Sequence, residues 1–215
     1  MIFSEFDSKQ LLRAYGIPTV EERLARDASE AVRRANELGY PVAVKLCASG
    51  LAHKTERDLV RLGIVGEDEV RAAAVEVLGR RQAHESDAQV LVQKMVDGRR
   101  ELILGLTRDL QFGPCVMLGL GGILAEAIRD VAFRVAPLEP IDALEMVEDL
   151  KAAPLFGAFR GEPEIDREAL ARALVGLGRI GIERPEIRSI DVNPMIISGR
   201  SPIAVDALVE WSAVR

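Results

Sequence analysis

RSIDVNPMIISGRSPIAVDAL, residues 188–208, contains an alternating apolar strand, a Gly199-Arg200 turn and a returning strand. Side chains two apart on a strand share a face, so Asp191 and Asn193 are expected to project together. Folding about Gly199 and Arg200 sets Asp206 opposite Asn193, because both lie the same number of residues from the turn. Pro194 and Pro202 lack amide hydrogens, which leaves room for a bulge or a one-residue slip. Two carboxylates and an amide oxygen on one surface are hard ligands. They suit Mg²⁺, which takes one or two protein carboxylates and completes its sphere with waters and substrate phosphates. The same residues also suit a plain turn, with Asp191 at a strand end and Asp206 solvated.

Outward from this hairpin, the N-terminal half alternates helices and strands. SEFDSKQLLRAYGIP predicts a helix of about three turns, and TVEERLA a short strand. DASEAVRRANELGYP carries Ala31, Val32, Ala35 and Leu38 as an apolar stripe ended by Gly39 and Pro41. PVAVKLC predicts a buried strand, ASGLAHKTERD a polar loop, LVRLGI a further strand, and the acidic GEDE opens a helix to about His84. AQVLVQKMV, RRELILGLTRD and FGPCVMLGLGG are three apolar strands separated by turn residues, which predicts an antiparallel meander. Two amphipathic helices follow, PIDALEMVEDLKAAP and IDREALARALVGLGRIG. The pattern predicts an α+β protein of two packed lobes with a groove between them.

Composition narrows the function. Twenty-eight basic against thirty-four acidic residues, with no basic tract, speaks against nucleic acid as a partner. Cys47 and Cys115 sit in apolar runs, as small buried thiols do. The absence of a membrane-length apolar run or a signal peptide predicts a soluble cytoplasmic protein with no membrane partner.

Several single residues could carry chemistry. Lys45 ends an apolar strand, where a fixed ammonium can bind phosphate or merely face solvent. Glu101 follows a tight turn and could meet a ribose hydroxyl or water. Gly119, Gly121 and Gly122, in GLGG, would let a backbone approach a ligand, although neither a dinucleotide fingerprint nor a Walker loop is present. His53 lies in a polar loop beside Lys54 and Thr55, where an imidazole could act as a nucleophile or stay idle. His84 is explained by its place near a helix end.

In order and content, LLRAYGIPT, GYPVAVKL, LAHKT, VLVQKMVDGRRELILG, RDLQFGPCVMLGLGGILAE, IDVNP and AVDA resemble the ATP-grasp fold. The likeness is to the nucleotide-binding beta subunit or domain of ADP-forming acyl-CoA synthetases, relatives of succinyl-CoA synthetase. It implies a single ATP-grasp domain over 1–215, with lobes of roughly 1–92 and 93–215 and a nucleotide groove between them. By resemblance, Lys45 contacts phosphate. The segment holding Gln93, Lys94, Met95 and Val96 is an inter-lobe hinge against which adenine rests. Glu101 positions ATP or ADP, and Gly119, Gly121, Gly122 and Glu126 border the phosphates. Asn193 and Asp206 bind Mg²⁺, supported by Asp191, and the three are expected to face Lys45 across the groove. His53 matches a loop histidine that relays a phosphoryl group, through phosphohistidine, towards a CoA-binding alpha subunit. That subunit is the expected partner in a hetero-oligomeric acid–CoA ligase.

The run after HKT departs from the family pattern. ERDLV places Asp58 and Leu59 where two glycines are expected, which stiffens the loop and adds an anion near a polyphosphate. A non-catalytic ligand-sensing module, of the kind fused to acetyltransferases, is the alternative that this change favours. A structural partner with a decayed nucleotide site is a further one.

Overall fold

The computed structural model describes residues 1–51, 54, 57–122 and 130–212. Helix α1 spans Glu5–Ala14. Helix α2, Ala28–Leu38, opens on Asp27, whose carboxylate accepts from the Glu30 amide at 2.8 Å. It buries the expected Ala31, Val32, Ala35 and Leu38. Gly39 ends it at φ 77°, a left-handed conformation that costs glycine little. Helix α3, Glu67–Gly79, opens on the acidic run as expected, with Glu67, Asp68 and Glu69 in its first turn, but stops short of His84. The amides of Arg80 and Arg81 bond back only three residues, to Val77 and Leu78, and this tightened turn closes the helix.

The chain divides by its contacts into two compact units, Met1–Asp7 with Val20–Met95, and Ser8–Thr19 with Val96–Arg215. In the first, strands β1 (Glu22–Ala25), β2 (Val42–Cys47), β3 (Val60–Ile64) and β4 (Gln89–Lys94) form one sheet in the order β1-β4-β2-β3. Val44, Leu46, Val90 and Val92 join Val32, Leu38 and Val77 of α2 and α3 in a single core. The expected three-strand meander is corrected here. β4 pairs with β1 on one side and β2 on the other, so neither of its edges remains for the strand that follows. Asp97-Gly98 looks like a hairpin turn, yet a turn signal cannot show that both ladders are already filled.

The second unit holds a six-stranded sheet of β5 (Arg100–Asp109), β6 (Gly113–Leu120), β7 (Val131–Val135), β8 (Ile187–Ser198), β9 (Ser201–Ala204) and β10 (Ala207–Trp211). The order is β10-β8-β5-β6-β7, with β9 also on β8. β5 and β6 form the predicted antiparallel hairpin. Helices α4 (Pro140–Glu148) and α5 (Arg167–Glu183) complete the unit, with α5 against β5 and β6. At Gly181 a Cβ would stand 2.7 Å from Pro114, so α5 needs a glycine to lie this close to the sheet. Residues 8–19 belong with this unit: the Ala204 amide donates to Pro18 at 2.9 Å, and a Cβ on Gly176 would meet the Tyr15 carbonyl at 2.6 Å. Chain order alone does not show that division. Both cysteines are free thiols, Cys47 buried and Cys115 half-buried. Among the described residues no helix is long and apolar enough to cross a membrane.

Candidate functional site

The hairpin forms in the expected register. β8 pairs with β9 as Met195↔Ala204 through Ser198↔Ser201, and with β10 as Val192↔Ala207 and Asp191↔Leu208. Between these two ladders the Asn193 amide donates to the Asp206 carbonyl at 3.2 Å, so the register passes through Asn193 and Asp206 unbroken. No slip occurs at either proline. The irregularity comes later, between Glu210 and Trp211.

Residues opposite one another in an antiparallel pair share a face and lie about 5 Å apart at Cβ, with the diagonal neighbour about 7–8 Å away. Asn193 and Asp206 are therefore adjacent, and Asp191 is the diagonal neighbour of Asp206. Asp191 and Asn193 are exposed, alternating with buried Ile190 and Val192. Gly105 lies opposite Asp191 on β5, so no side chain crowds the carboxyl from that strand. Surrounding protein, and then the Asp206 carboxylate, push the Asp191 carboxyl up from its ordinary range. Asp191 stays open to water, and the neighbouring acids here carry excess negative charge.

A cation relieves that charge. Among the described residues no three His, Cys, Asp or Glu side chains gather into a metal-enclosing group. Two acids and an amide oxygen make instead an open set. This fits hydrated Mg²⁺, whose remaining positions go to waters and phosphate oxygens.

Asn193 also lines an open cavity of about 480 Å³ with Arg99, Glu101, Gly121 and Gly122. Three of the expected nucleotide residues thus share a chamber with an expected metal ligand. The glycines have a structural duty as well. The Gly121 amide donates to the Glu101 carbonyl at 2.7 Å, and a Cβ there would stand 2.9 Å from that residue's backbone. A Cβ on Gly119 would stand 2.9 Å from Val131. Glu126 lies outside the described residues.

The first unit positions the other expected residues. Lys45 does not end its strand but sits inside β2, nearly buried, paired with Glu5 at 2.7 Å. Lys54 pairs with the other oxygen of the same carboxylate. One acid between two ammonium groups leaves the formal charges of the trio at +1, which suits phosphate. Gln93 is buried, opposite Glu22 and Ala43. The Lys94 and Met95 amides already donate to Glu21 and Pro41, and the Lys94 ammonium caps Leu38 of α2 at 3.2 Å. Val96 begins the chain's return into the second unit. Sequence reasoning missed Glu5, which looked like an ordinary acid in a first helical turn, and Arg99 on the cavity wall. Nothing local links residue 5 with residue 45.

Asp58 takes φ +54°, in the left-handed region where glycine is favoured. Its carboxylate accepts from Arg80, and from Arg61 at 2.8 and 3.0 Å, which hold it below its ordinary range. The added anion is therefore a paired one: Asp58 is engaged by two guanidinium groups. Leu59 is fully buried in the core, and its carbonyl accepts from Leu46 at 3.0 Å. Arg57 pairs with buried Glu85, which also accepts from the Gln82 amide at 2.7 Å. His53 lies outside the described residues.

The Arg57 guanidinium, and then the Gln82 amide against the cost of burial, hold the Glu85 carboxyl below its ordinary value of 4.5. A depressed folded pKa stabilises the native state above the unfolded pKa, and this contribution is lost as pH falls through the folded value. Wild type is expected to exceed Glu85→Gln in urea midpoint above about pH 4.5, with the gap closing at lower pH. A gap unchanged from pH 7 to 3 would show that the ion pair contributes nothing.

Residues 1–210 match the family model described as an ATP-grasp domain. The chain belongs to the ATP-grasp family. This ATP-grasp chain is 42% identical to the beta subunit of acetate–CoA ligase [ADP-forming] I from Pyrococcus furiosus, over 94% of its own length and 89% of the relative. It is also similar to the dinucleotide-forming acetyl-coenzyme A synthetase 1 of Ca. Korarchaeum cryptofilum, solved with coenzyme A, Ca-AMPCP and HgCl⁺. There the TM-score is 0.90 and the identity 40%, over 98% of this chain and 93% of the other. A second structure of that synthetase, with coenzyme A and Mg-AMPPCP, has its phosphohistidine segment pointing towards the nucleotide-binding site. It matches with TM-score 0.84 at 40% identity, over 97% and 93% of the two chains.

Proposed function

We propose that this ATP-grasp chain is the nucleotide-binding subunit of an ADP-forming acyl-CoA synthetase. It works with a CoA-binding alpha subunit or domain in the reaction acyl-CoA + ADP + phosphate = acid + CoA + ATP. The observation that carries the proposal is the unbroken register setting Asn193 beside Asp206, with Asn193 and Glu101 on one cavity wall. The Pyrococcus and Korarchaeum relatives support the reaction class.

Asn193 and Asp206 would hold Mg²⁺, with the Asp191 carboxylate beside them drawing in the cation or its waters. When bound, Mg²⁺ supplies positive charge to the polyphosphate oxygens. Glu101 orients the ribose by accepting from a hydroxyl. Lys45 and Lys54, sharing Glu5, offer ammonium hydrogens to the phosphates. An imidazole nitrogen of His53 attacks the terminal phosphorus of ATP, an N–P bond forms as the P–O bond to ADP breaks, and ADP leaves with that oxygen. The phosphoryl group then passes towards the partner.

The test is ADP formation by the chain mixed with its CoA-binding partner, ATP and Mg²⁺. Release of ADP beyond a single equivalent per site is expected to require both an acid such as acetate and CoA. Nucleotide binding without such ADP release would leave the ligand-sensing reading in its place, and no nucleotide binding at all would defeat both.

A further inference from the structure

We infer that Lys9, on α1, is a positioning residue for the Asp206 end of the metal site, an inference that rests on the proposed Mg²⁺–nucleotide function. Lys9 is fully buried, and its ammonium donates to the Val205 carbonyl at 3.1 Å. That carbonyl and the Asp206 amide belong to one peptide plane. Val205 and Asp206 lie between β9 and β10, outside both strands. The Val205 amide donates to Pro194 at 3.0 Å, the Asp206 carbonyl accepts from Asn193, and the preceding Ala204 amide donates to Pro18. Lys9 supplies the hold on the plane between these points. Rotation of that plane would swing the Asp206 side chain away from Asn193.

A purely space-filling role does not account for the residue. A methionine of similar length would occupy the same volume without taking an ammonium out of water, which costs heavily unless the charge is used. The charge lies one residue from Asp206, where two acids share a surface, and offsets part of their repulsion before a cation arrives. The ammonium also repels the incoming cation. Positioning is the larger effect, because displacing a ligand's support lowers metal affinity about tenfold to hundredfold.

Calorimetric titration of ADP, with Mg²⁺ and with EDTA, tests this on wild type, Lys9→Met, Lys9→Arg and Asp206→Asn. In wild type Mg²⁺ is expected to tighten ADP binding. Lys9→Met is expected to lose about tenfold to hundredfold of affinity in Mg²⁺ and none in EDTA, as supporting residues of metal ligands do. Lys9→Arg, which keeps a charged donor, is expected to recover part of the loss. Equal weakening in both conditions would show a merely structural lysine, and unchanged or tighter Mg²⁺-dependent binding in Lys9→Met would overturn the inference. If neither Lys9 variant folds, Lys9 determines the fold rather than the site, and the inference also fails. If wild type gains nothing from Mg²⁺, or Asp206→Asn changes nothing, the metal reading itself is wrong and the Lys9 role falls with it. A change in Asp206→Asn but not in Lys9→Met sinks the Lys9 role alone.

Discussion

His53→Ala is expected to lower ADP formation by the complex with its CoA-binding partner by at least about four orders of magnitude, the scale seen when a covalent nucleophile is removed. Nucleotide binding is expected to persist. If the imidazole carries the phosphoryl group, neighbouring side chains substitute poorly: a lysine is protonated at neutral pH and offers no free electron pair, and a threonine hydroxyl would form an acid-stable ester. The wild-type chain, given Mg-ATP and its partner, should therefore retain an acid-labile, base-stable phosphoryl label that His53→Ala lacks. Label persisting in His53→Ala would remove His53 from the reaction. No label in either protein would turn the site into a sensor. The neighbouring Asp58 does not argue against transfer by its charge, since Arg61 and Arg80 already engage it. What it changes is the freedom of the loop base, together with buried Leu59.

Asp206→Ala is expected to weaken Mg-ATP binding about 100-fold, or about 2.8 kcal/mol at 1.4 kcal/mol per tenfold, while leaving the thermal midpoint nearly unchanged. The Asp206 side chain lies at the join of β9 and β10 rather than in the apolar core, so its removal opens no cavity. The backbone bond from Asn193 uses the Asp206 carbonyl and survives the substitution. Loss of one carboxylate also relieves Asp191, whose carboxyl is pushed up partly by Asp206. The variant should therefore show its loss in Mg²⁺ and little change in EDTA. Unchanged affinity in Mg²⁺ would reject Asp206 as a ligand.

The hairpin was legible in the sequence because its information is local. Period-two alternation, a Gly199 able to take φ +60° and equal arm lengths determine which side chains face one another. The ends of α2 were legible for the same reason, since Asp27 and Gly39 act within a few residues of the backbone groups they satisfy. The end of α3 was less so. Its last turn tightens through backbone bonds that no single side chain announces.

Local pattern alone determined the helices, most strands, the Asn193–Asp206 register and an α+β composition. Order of motifs pointed to the ATP-grasp family. Only the tertiary structure decided that β4 fills the gap between β1 and β2, that residues 8–19 pack with the second unit, and that Lys45 shares Glu5 with Lys54. It also decided that a buried Lys9 holds the peptide before Asp206. The physical reason is common to all four. An apolar strand carries the same pattern whichever neighbour accepts its hydrogen bonds, and a charged side chain shows no partner until chain closure brings a distant one within about 3 Å.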